Sequence, residues 1–300
     1  MSQIIDRESV YIIIPVYNRC NITLACLEKL KTNGDLARYH VVVVDDGSTD
    51  DTKEAIETLY PEVVVLNGDG NLWWTGAMAL GMECAFERGA EYFIWLNDDC
   101  LPQPNALTQL VAYMKQHPDT IASASFYTLE AKEPVRYSGF DGRKGLAARQ
   151  GEIVEVEGTS GWCVGIPVAV FERIGVPEAR KFPHYAGDSM YTLKATRAGF
   201  KARVLGDAIA ILVDPGTSRD DLPTYFKPEQ TVAESWYSIF WHQKSPFRLP
   251  TQFFYQTRRY GMLLGIILFL AKTSLWVGRW IQLQVTSRFN FQKINLEKNV

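Results

Sequence analysis

A long stretch near the end of the sequence has no negative charge, because no Asp or Glu occurs between Glu234 and Glu297. The same stretch holds eight basic residues, so the rest of the chain carries −11 once these eight are taken from the overall formal charge of −3. Charge is thus divided between an acidic body and a basic tail, and we expect no nucleic-acid partner. The basic residues are Lys244, Arg248, Arg258, Arg259, Lys272, Arg279, Arg288 and Lys293.

Other absences narrow the class of protein. The five cysteines are odd in number and lack the paired spacing of a metal site, a pattern typical of reduced thiols in a cytosolic protein. The N-terminal MSQIIDRESV has no basic region and carries an early acid, so it does not resemble a signal peptide. There is no internal repeat, and 300 residues suffice for one large domain or two small ones.

The first part of the chain alternates strand and helix patterns. Apolar runs predict strands at Val10–Val16, His40–Val44 and Glu62–Leu66. Between the first two, Asn21 is a candidate N-cap for a helix over Ile22–Lys31, which Gly34 would end. A short helix opened by Asp50-Asp51 and stopping before Pro61 precedes the third strand. This βαβαβ pattern predicts a parallel, doubly wound start.

The glycine-rich stretch Asn67–Gly76 (NGDGNLWWTG) resembles a dinucleotide loop only at first sight. Trp73 stands where the third glycine should be, which argues against a Rossmann dehydrogenase. A helix over Ala77–Arg88 is expected to follow. Trp73 and Trp74 are either a platform for a sugar or simple packing, and the sequence leaves both open.

The stretch Glu91–Cys100 (EYFIWLNDDC) joins an apolar run to Asn97, Asp98 and Asp99. The run predicts a strand buried on both faces, so the acids would lie at the carboxyl edge of a sheet, where open α/β sheets bind ligands. Carboxylates there suit Mg²⁺ or Mn²⁺ shared with a substrate phosphate. The alternative is a polar loop that caps the next helix, predicted over Pro104–Gln116.

The remainder of the body gives weaker signals. Residues 121–157 predict mostly antiparallel strand pieces, and Gly158–Val164 reads as a loop of small residues with one Trp. Helices are expected over Pro167–Ile174 and from Asp188 to Gly199, and Asp188 is either a catalytic base or a helix cap. Two strands, Ala202–Leu205 and Ala208–Val213, would complete the sheet.

Four motifs occur in a fixed order: PVYNR at Pro15–Arg19, VVDDGSTD at Val43–Asp50, NDD at Asn97–Asp99, and GD at Gly187-Asp188. This ordered set resembles the family-2 inverting glycosyltransferases, over roughly Tyr11 to Val213. The resemblance implies the GT-A fold, an α/β fold with a doubly wound mixed sheet. NLWWTGA and PHYAGD look most like the bacterial members that are rhamnosyltransferase-like.

The resemblance also implies roles for single residues. Asp46 would accept a hydrogen bond from the pyrimidine base, Asp98 would face the ribose, and Asp99 would hold Mg²⁺ or Mn²⁺. Asp188 would be the catalytic base. This chain has Asn97 at the first position of the usual Asp-x-Asp motif, which leaves fewer charges for the metal, and Asp214 and His184 are only candidates for a further ligand. The other expected nucleotide contacts are Pro15, Tyr17, Arg19, Asn71 and Asn97.

The implied activity is that of a metal-dependent hexosyltransferase. It would move a sugar from a UDP- or dTDP-linked donor to a saccharide or lipid-linked saccharide acceptor, in the assembly of bacterial cell-surface polysaccharide such as O-antigen, capsule or exopolysaccharide. The chemistry is consistent: a metal on the phosphates neutralises the leaving diphosphate, and a carboxylate deprotonates the acceptor hydroxyl. Attack on the opposite face would invert the anomeric centre.

Three other classes compete with this interpretation. A GT-A protein that binds nucleotide sugar without turnover would not need both Asp99 and Asp188, and both are present. A sugar nucleotidyltransferase would need an early phosphate-binding loop that is rich in Gly and contains Lys. The early loop of this chain, Val16–Cys20, contains neither residue. A membrane-bound structural protein fits poorly with the acidic first two-thirds of the chain.

We expect a catalytic domain over residues 1–215 and a linker with a helical, basic and aromatic region over 216–300. Within it, Tyr260–Ala271 is uncharged but shorter than the roughly 20 residues of a bilayer span, and Lys272 follows. Four of the eight tryptophans lie in this region, and Trp favours headgroup depth. We therefore expect a pair of amphipathic helices on the membrane, which suits a lipid-linked acceptor; the alternative is a buried helix packed on the catalytic domain. The expected location is cytoplasmic, peripheral on the inner face of the cell membrane.

Overall fold

The computed structural model describes residues 7–213 and 221–297, with side chains described as far as Thr286. This part of the chain divides into two compact units. The first comprises the described residues up to Ala179 and those from Gly187 to Val213. The second comprises Arg180–Ala186 and the described residues from Asp221 onward.

The first unit alternates strands and helices. Its elements in chain order are β1 (Val10–Val16), α1 (Cys20–Asn33), α2 (Asp35–Arg38), β2 (His40–Asp45), α3 (Thr52–Leu59), β3 (Val64–Asn67), α4 (Trp73–Glu87), β4 (Tyr92–Leu96), β5 (Cys100–Pro102), α5 (Ala106–Gln116), β6 (Thr120–Thr128), β7 (Gly139–Asp141), β8 (Lys144–Leu146), β9 (Ile153–Val156), β10 (Gly158–Thr159), β11 (Cys163–Pro167), α6 (Val168–Ile174), α7 (Gly187–Arg197) and β12 (Lys201–Leu212).

The parallel start predicted from the sequence is confirmed. β1 pairs in parallel with β2 on one side and with β4 on the other, and β2 pairs in parallel with β3. The register places Ile14 opposite Val43 and Ile12 opposite both Val41 and Ile94. These β-branched residues are buried on both faces, because helices cover each face of the sheet.

The sheet becomes mixed beyond β4, since β11 runs antiparallel to both β4 and β6. One prediction for this region was wrong: the stretch expected to be a loop ends in β11, a strand buried along its length. The mostly antiparallel pairing expected over residues 121–157 is found, since β6 pairs with β11, β7 with β8 and β9 with β12 in this way, although β6 also runs parallel to β12. Because β11 separates two parallel parts of the sheet, and β5 and β9 also run antiparallel to β12, the chain has the mixed α/β architecture expected of a GT-A fold.

The described sheet must curl, because of where β5 lies. The strand order is β3-β2-β1-β4-β11-β6-β12-β5, which separates β4 from β5 by four strand intervals, or roughly 19 Å in a flat sheet. Only Asn97, Asp98 and Asp99 join the two strands, and four residue steps reach at most about 14 Å. The part of the sheet between β4 and β5 therefore curls, which brings β5, at one end of this order, toward β4, and the Asn97–Asp99 turn joins the two strands.

Helices pack on both faces of the sheet and form two apolar clusters. Leu27 and Leu30 of α1, with Leu110 and Met114 of α5, are buried in the first. Met78 and Met82 of α4 are buried in the second, where Tyr191 of α7 joins them. Since the strand side chains alternate between these two layers, the loops at the strand ends are held from both sides.

Some predicted element boundaries were wrong. The helix expected at Ile22 begins at Cys20, so Asn21 lies in its first turn and not at its N-cap, although Gly34 ends it in the left-handed conformation as expected. α4 begins at Trp73, four residues before the predicted start. The last two predicted strands form one, β12, with a register shift between Leu205 and Ile209.

The second unit is helical in its described part. Its elements are α8 (Leu222–Tyr225), α9 (Val232–Phe240), α10 (Leu249–Tyr260) and α11 (Met262–Glu297). An aromatic cluster, with Phe240, Phe247 and Trp280 at its centre, ties α9 and α11 together. The segment Arg180–Ala186 belongs to this unit, since the backbone carbonyl of Lys181 accepts a hydrogen bond from Thr251 at 3.0 Å. Residues 262–286 form one helix long and apolar enough to cross a membrane.

Candidate functional site

Two loops at the carboxyl ends of β1 and β2 are locked together by hydrogen bonds. Asn18 accepts the Thr49 backbone N–H on its Oδ1 at 2.7 Å, and its own N–H donates to the Ser48 hydroxyl at 2.8 Å. Asp50 accepts the backbone N–H of Cys20 at 3.2 Å. Asn18 also has a left-handed backbone, φ +52°, which Asn tolerates better than most residues. The two loops therefore form one rigid rim.

Arg19 projects from this rim onto the acidic turn after β4. Its Nη2 donates to Asp99 Oδ2 at 2.9 Å, and its Nε lies 3.3 Å from Asp98 Oδ2. The side chain of Asp98 is almost fully buried, whereas Asp99 keeps 21% exposure. One guanidinium thus faces two adjacent carboxylates, and only Asp99 among them is open to solvent.

Asp98 is held from inside the protein as well. The Thr23 hydroxyl, in the first turns of α1, donates to Asp98 Oδ2 at 3.0 Å. Burial raises the pKa of Asp98 to about 6, although Arg19 opposes the shift. Its position and partners make Asp98 a support for the turn, with its carboxylate directed at α1.

Asp46 organises the loop that leads into α4. Its Oδ1 accepts the backbone N–H groups of Gly70 and Leu72 at 3.0 and 3.1 Å, and its Oδ2 accepts that of Trp73 at 2.8 Å. Trp73 is held in the left-handed region, φ +55°, a strained conformation that this bond helps to fix. The unpaired carboxylate oxygen expected at Asp46 is not found, because both oxygens already accept backbone donors.

Trp74 joins the acidic turn to the predicted base. Its indole Nε1 donates to Asn97 Oδ1 at 2.8 Å. The same ring lies against Gly161, where a Cβ would come within 2.7 Å of Trp74 Cζ2 and 2.7 Å of the Asp188 Cβ. Only glycine fits at this position without displacing one of them. Gly161 therefore packs against both the Trp74 ring and the Asp188 side chain, while the N–H of the same ring bonds Asn97.

The Asp188 carboxylate accepts two backbone N–H groups, from Gly161 at 2.8 Å and from Ser189 at 2.7 Å. Burial raises its pKa above the ordinary value, and these two hydrogen bonds oppose the rise. A carboxylate with a raised pKa, placed at the first turn of α7, is suited to accept a proton.

The sequence matches the model of Glycosyl transferase family 2 over residues 11–174, more than half of the chain. The chain belongs to this family. Comparison with curated protein sequences finds no significant match.

Solved structures of glycosyltransferases share the fold. A mannosyltransferase, PcManGT from Pyrobaculum calidifontis in complex with GDP-Man and Mn²⁺, is 18% identical with a TM-score of 0.55, covering 71% of this chain and 59% of that one. S. aureus TarS 1–349 in complex with UDP-GlcNAc is 19% identical with a TM-score of 0.54, covering 70% and 59%. GalNAc-T7 with UDP, GalNAc and Mn²⁺ is 14% identical with a TM-score of 0.58, covering 94% and 58%.

These identities show a common fold, and this chain spans about three fifths of the length of each structure. The GT-A fold expected from the sequence is thereby confirmed. The roles assigned to single residues stay predictions, to be weighed on the geometry of the site.

Three of the predicted nucleotide contacts lie in β1 or in the loops at this edge of the sheet. Pro15 is within β1, paired with Val44, and Tyr17 is 53% exposed at the strand end. Asn71 is exposed in the loop that Asp46 organises, and its backbone N–H donates to Asp69 Oδ1 at 2.9 Å. These residues border the site without touching the acidic turn through any hydrogen bond described.

Asp99 and Asp98 are too few for a metal site made of protein alone, and the residues described include no cluster of three or more His, Cys, Asp or Glu that could hold an ion. A Mg²⁺ or Mn²⁺ ion that has water and substrate phosphate among its ligands needs only one or two protein carboxylates. The partly exposed Asp99 therefore fits such an ion. His184 belongs to the second unit, where burial, with Lys244 and His242 nearby, lowers its pKa to about 4. Asp214 lies outside the described residues.

Sequence reasoning missed three residues of this site and left a fourth undecided. Asn18 and Thr23 were passed over as ordinary loop and helix residues, and Gly161 as part of a loop. Trp74 was left open between packing and binding, and it does pack, edge-on against Trp95 at 5.4 Å, while its N–H bonds Asn97. The signal that could have identified Trp74 and Gly161 was their position in the chain. Trp74 follows β3 and Gly161 precedes β11, and these two strand ends lie at the same edge of the sheet.

Proposed function

We propose that this glycosyltransferase moves a sugar from a UDP- or dTDP-linked donor to an acceptor hydroxyl with inversion at the anomeric carbon. The observation that supports this most is that the Trp74 ring bonds Asn97 of the acidic turn and packs on Gly161, whose backbone N–H donates to the Asp188 carboxylate. A proton acceptor and the residues proposed to bind the diphosphate are thereby connected through rigid elements.

The proton and the leaving group are handled by different residues in this mechanism. The Asp188 carboxylate takes the proton of the acceptor hydroxyl as the oxygen attacks the anomeric carbon, and the bond to the diphosphate breaks on the opposite side. Arg19, which already faces two carboxylates, is placed to neutralise the departing diphosphate. Because one displacement step occurs from the face opposite the leaving group, the configuration inverts.

Asp99, with Asp98 behind it, would hold the Mg²⁺ or Mn²⁺ ion. The ion, when bound, would supply positive charge to the diphosphate as negative charge develops on it. Before that, the ion pair between Arg19 and Asp99 at 2.9 Å has to loosen, and binding of a diphosphate offers Arg19 a replacement anion.

The Asp46 loop would select the base of the nucleotide. With both carboxylate oxygens already accepting backbone N–H groups, Asp46 has room for one further hydrogen bond at Oδ2. A uracil or thymine N3–H would suit that place. Saccharides or lipid-linked saccharides of bacterial cell-surface polysaccharide are the acceptor class we propose, and rhamnose is one donor sugar to test.

The test is a panel of donors with and without Mg²⁺ or Mn²⁺, comprising UDP-, dTDP- and GDP-linked sugars. GDP is included because the structures of similar fold hold GDP-Man in one case and UDP-GlcNAc in another. We expect release of UDP or dTDP that depends on the metal, and a product whose anomeric proton coupling in NMR shows inversion. Retention of configuration, or preference for GDP sugars, would refute the corresponding part of the proposal.

The main alternative is a protein that binds nucleotide sugar without transferring it. Calorimetric binding of a nucleotide sugar, with no release of diphosphate for any acceptor in the panel, would support that alternative. Formation of a nucleotide sugar from a sugar phosphate and a nucleoside triphosphate would point to a nucleotidyltransferase instead.

A further inference from the structure

Helix α11 is apolar on two sides, and the helices of its own unit cover only one of them. On the covered side, Gly265 lies so close to α10 that a Cβ would come within 2.4 Å of the Thr257 Cα. Phe269 packs edge-on against Phe253 of α10 at 5.5 Å. Further along, Trp280 packs on Trp236 of α9 at 5.2 Å. This side is therefore an ordinary helix interface along most of its length.

The other side carries a row of large apolar side chains that we call the apolar ridge. Only 6% of the apolar window in residues 262–286 is buried. At 100° per residue, the members of the ridge lie within an arc of roughly 60°, and they extend over about 33 Å of helix. The ridge consists of Leu263, Ile267, Leu270, Ile281 and Val285, which are 78%, 55%, 57%, 50% and 49% exposed.

The charged residues between positions 262 and 286 of this helix lie away from the ridge. Lys272 and Arg279 are seven residues apart, which places them in one row at roughly 160–180° from Leu263. Both are exposed, and Lys272 lies over the Trp276 ring at 6.0 Å. The exposed arc of α11 is thus apolar at its centre and basic along one border.

Charged groups also lie at every level along α11. Arg258 and Arg259 end α10, just before α11 begins. Lys272 lies in the middle of the apolar window. Near the far end, Trp280 donates its indole N–H to Ser235 at 3.0 Å, beside Glu234, which is exposed and closes the capping box of α9. A helix that crosses a bilayer would carry these charges to every depth of the hydrocarbon, which is costly.

We propose that α11 lies flat in the surface of an anionic membrane, with the apolar ridge in the acyl region and the row of Lys272 and Arg279 at the headgroups. A helix in this orientation buries the uncovered side and leaves Lys272, Arg279 and the charged residues of α9 and α10 named above in water or among headgroups. The absence of any Asp or Glu from residue 235 to residue 296, against eight basic residues, favours anionic lipid.

A second copy of the chain is a weaker occupant for the ridge. Two ridges packed together would bring the basic rows of both copies near one interface, with no acidic residue on either helix before Glu297 to pair with them. Lipid phosphates meet the same row with opposite charge. The proposal does not rest on the proposed function, because membrane binding and depth can be measured without turnover.

The first experiment is co-sedimentation of the full chain with vesicles of neutral phosphatidylcholine, with and without anionic phosphatidylglycerol. Leu270→Glu combined with Ile281→Glu should lower the partition coefficient about a hundredfold, because each apolar side chain contributes tenfold or more. The matched control combines Leu59→Glu with Leu129→Glu, two apolar residues exposed elsewhere at 58% and 74%. The control should bind like the original protein.

Charge is tested in the same assay. Lys272→Gln with Arg279→Gln should weaken binding to anionic vesicles about fivefold per charge and leave binding to neutral vesicles nearly unchanged. Lys132→Gln with Lys144→Gln, two exposed residues of the first unit, is the control. A full chain that does not bind anionic vesicles, or a ridge variant that changes a dimer into a monomer in sedimentation velocity, would overturn the proposal.

The second experiment separates a flat helix from a spanning one. Single cysteines at positions 263, 270, 279 and 281 carry a fluorophore that is quenched by lipids labelled at known depths, with the half-buried Cys20 and Cys84 changed to Ser. A flat helix predicts equal, deep quenching at 263, 270 and 281 and shallow quenching at 279. A quenching depth that changes steadily with residue number, so that positions 279 and 281 lie at similar depth, would establish a spanning helix and refute the flat orientation.

Discussion

Asp188→Asn tests whether the carboxylate at the start of α7 is the catalytic base. The substitution keeps the size of the side chain but replaces one oxygen by an NH₂ group, which cannot accept a hydrogen bond. One of the two bonds from Gly161 and Ser189 is therefore lost. Leaving one backbone N–H without its acceptor costs about 1–3 kcal/mol of folding free energy, and the Tm should fall by a few degrees.

The loss of activity should be far larger than this loss of stability. General-base catalysis contributes roughly 10²–10⁴-fold, or about 3–5 kcal/mol of transition-state stabilisation. We expect kcat for transfer to fall by that factor, while the dissociation constant for UDP or dTDP measured by calorimetry stays nearly the same. The base contacts the acceptor and not the nucleotide.

Thr192→Val is the matched control for folding. Its hydroxyl, on the same helix as Asp188, accepts the Thr159 N–H of β10 at 3.0 Å, so its removal leaves that buried donor unpaired. The expected cost in stability is again about 1–3 kcal/mol, but the Asp188 carboxylate stays in place. Thr192→Val should therefore lower the Tm and keep most of the transfer rate.

The pH profile gives a second, independent measure. A base works only when it is ionised, so transfer should fall as the pH falls through the pKa of Asp188. Because burial raises that pKa, this acidic limb should lie at higher pH than the ordinary value of 3.8. The limb should disappear from the residual activity of Asp188→Asn. Transfer by the variant at near wild-type rate, with the limb intact, would show that Asp188 only stabilises the helix terminus.

Further predictions concern the rest of the site. Asp99→Asn should lose nearly all transfer and, in calorimetry, Mn²⁺ binding in the presence of UDP; full activity of the wild type in chelator would refute a metal role. Asp46→Ala removes the acceptor of three backbone N–H groups, so the dissociation constant for UDP or dTDP should rise, and equal affinity of the wild type for purine nucleotides would contradict base selection. Trp74→Phe keeps an aromatic ring but loses the bond to Asn97, so kcat should fall about fivefold, as one hydrogen bond contributes roughly 1 kcal/mol. Trp241→Phe, on an exposed residue, should have no effect, and equal rates for both variants would remove Trp74 from the site.

Much of the fold was predictable because the buried strands are continuous apolar runs. The runs Val10–Val16 and His40–Val44 predicted the first two parallel strands correctly. Gly34 ends α1 in the left-handed conformation, as a glycine at that position predicts. β11 was not predictable in the same way. Its five residues, Cys163–Pro167, include a glycine and a proline, so local propensity opposes a strand. Pairing with β4 and β6 on both sides overrides that propensity.

The separate motifs were also predictable, but their contacts were not. An acid after a strand indicates a sheet edge and says nothing of its partners, which come from segments far apart in the sequence. Asp46 illustrates this. The sequence predicted a carboxylate that accepts a hydrogen bond from the base of the nucleotide. In the folded chain, both of its oxygens already accept backbone N–H groups at the start of α4 and in the loop before it.

The amide at Asn97, which departs from the usual Asp-x-Asp motif, follows from the charge balance of the turn. Asp98 and Asp99 already share one guanidinium, and burial raises the pKa of Asp98 to about 6. A third carboxylate at position 97 would add like charge beside a group that is already costly to ionise. The Asn97 oxygen accepts the Trp74 N–H as well as a carboxylate would, without that cost. Asn97 therefore keeps the connection from the turn to the Asp188 side of the site, and leaves Asp99 as the carboxylate available to an ion.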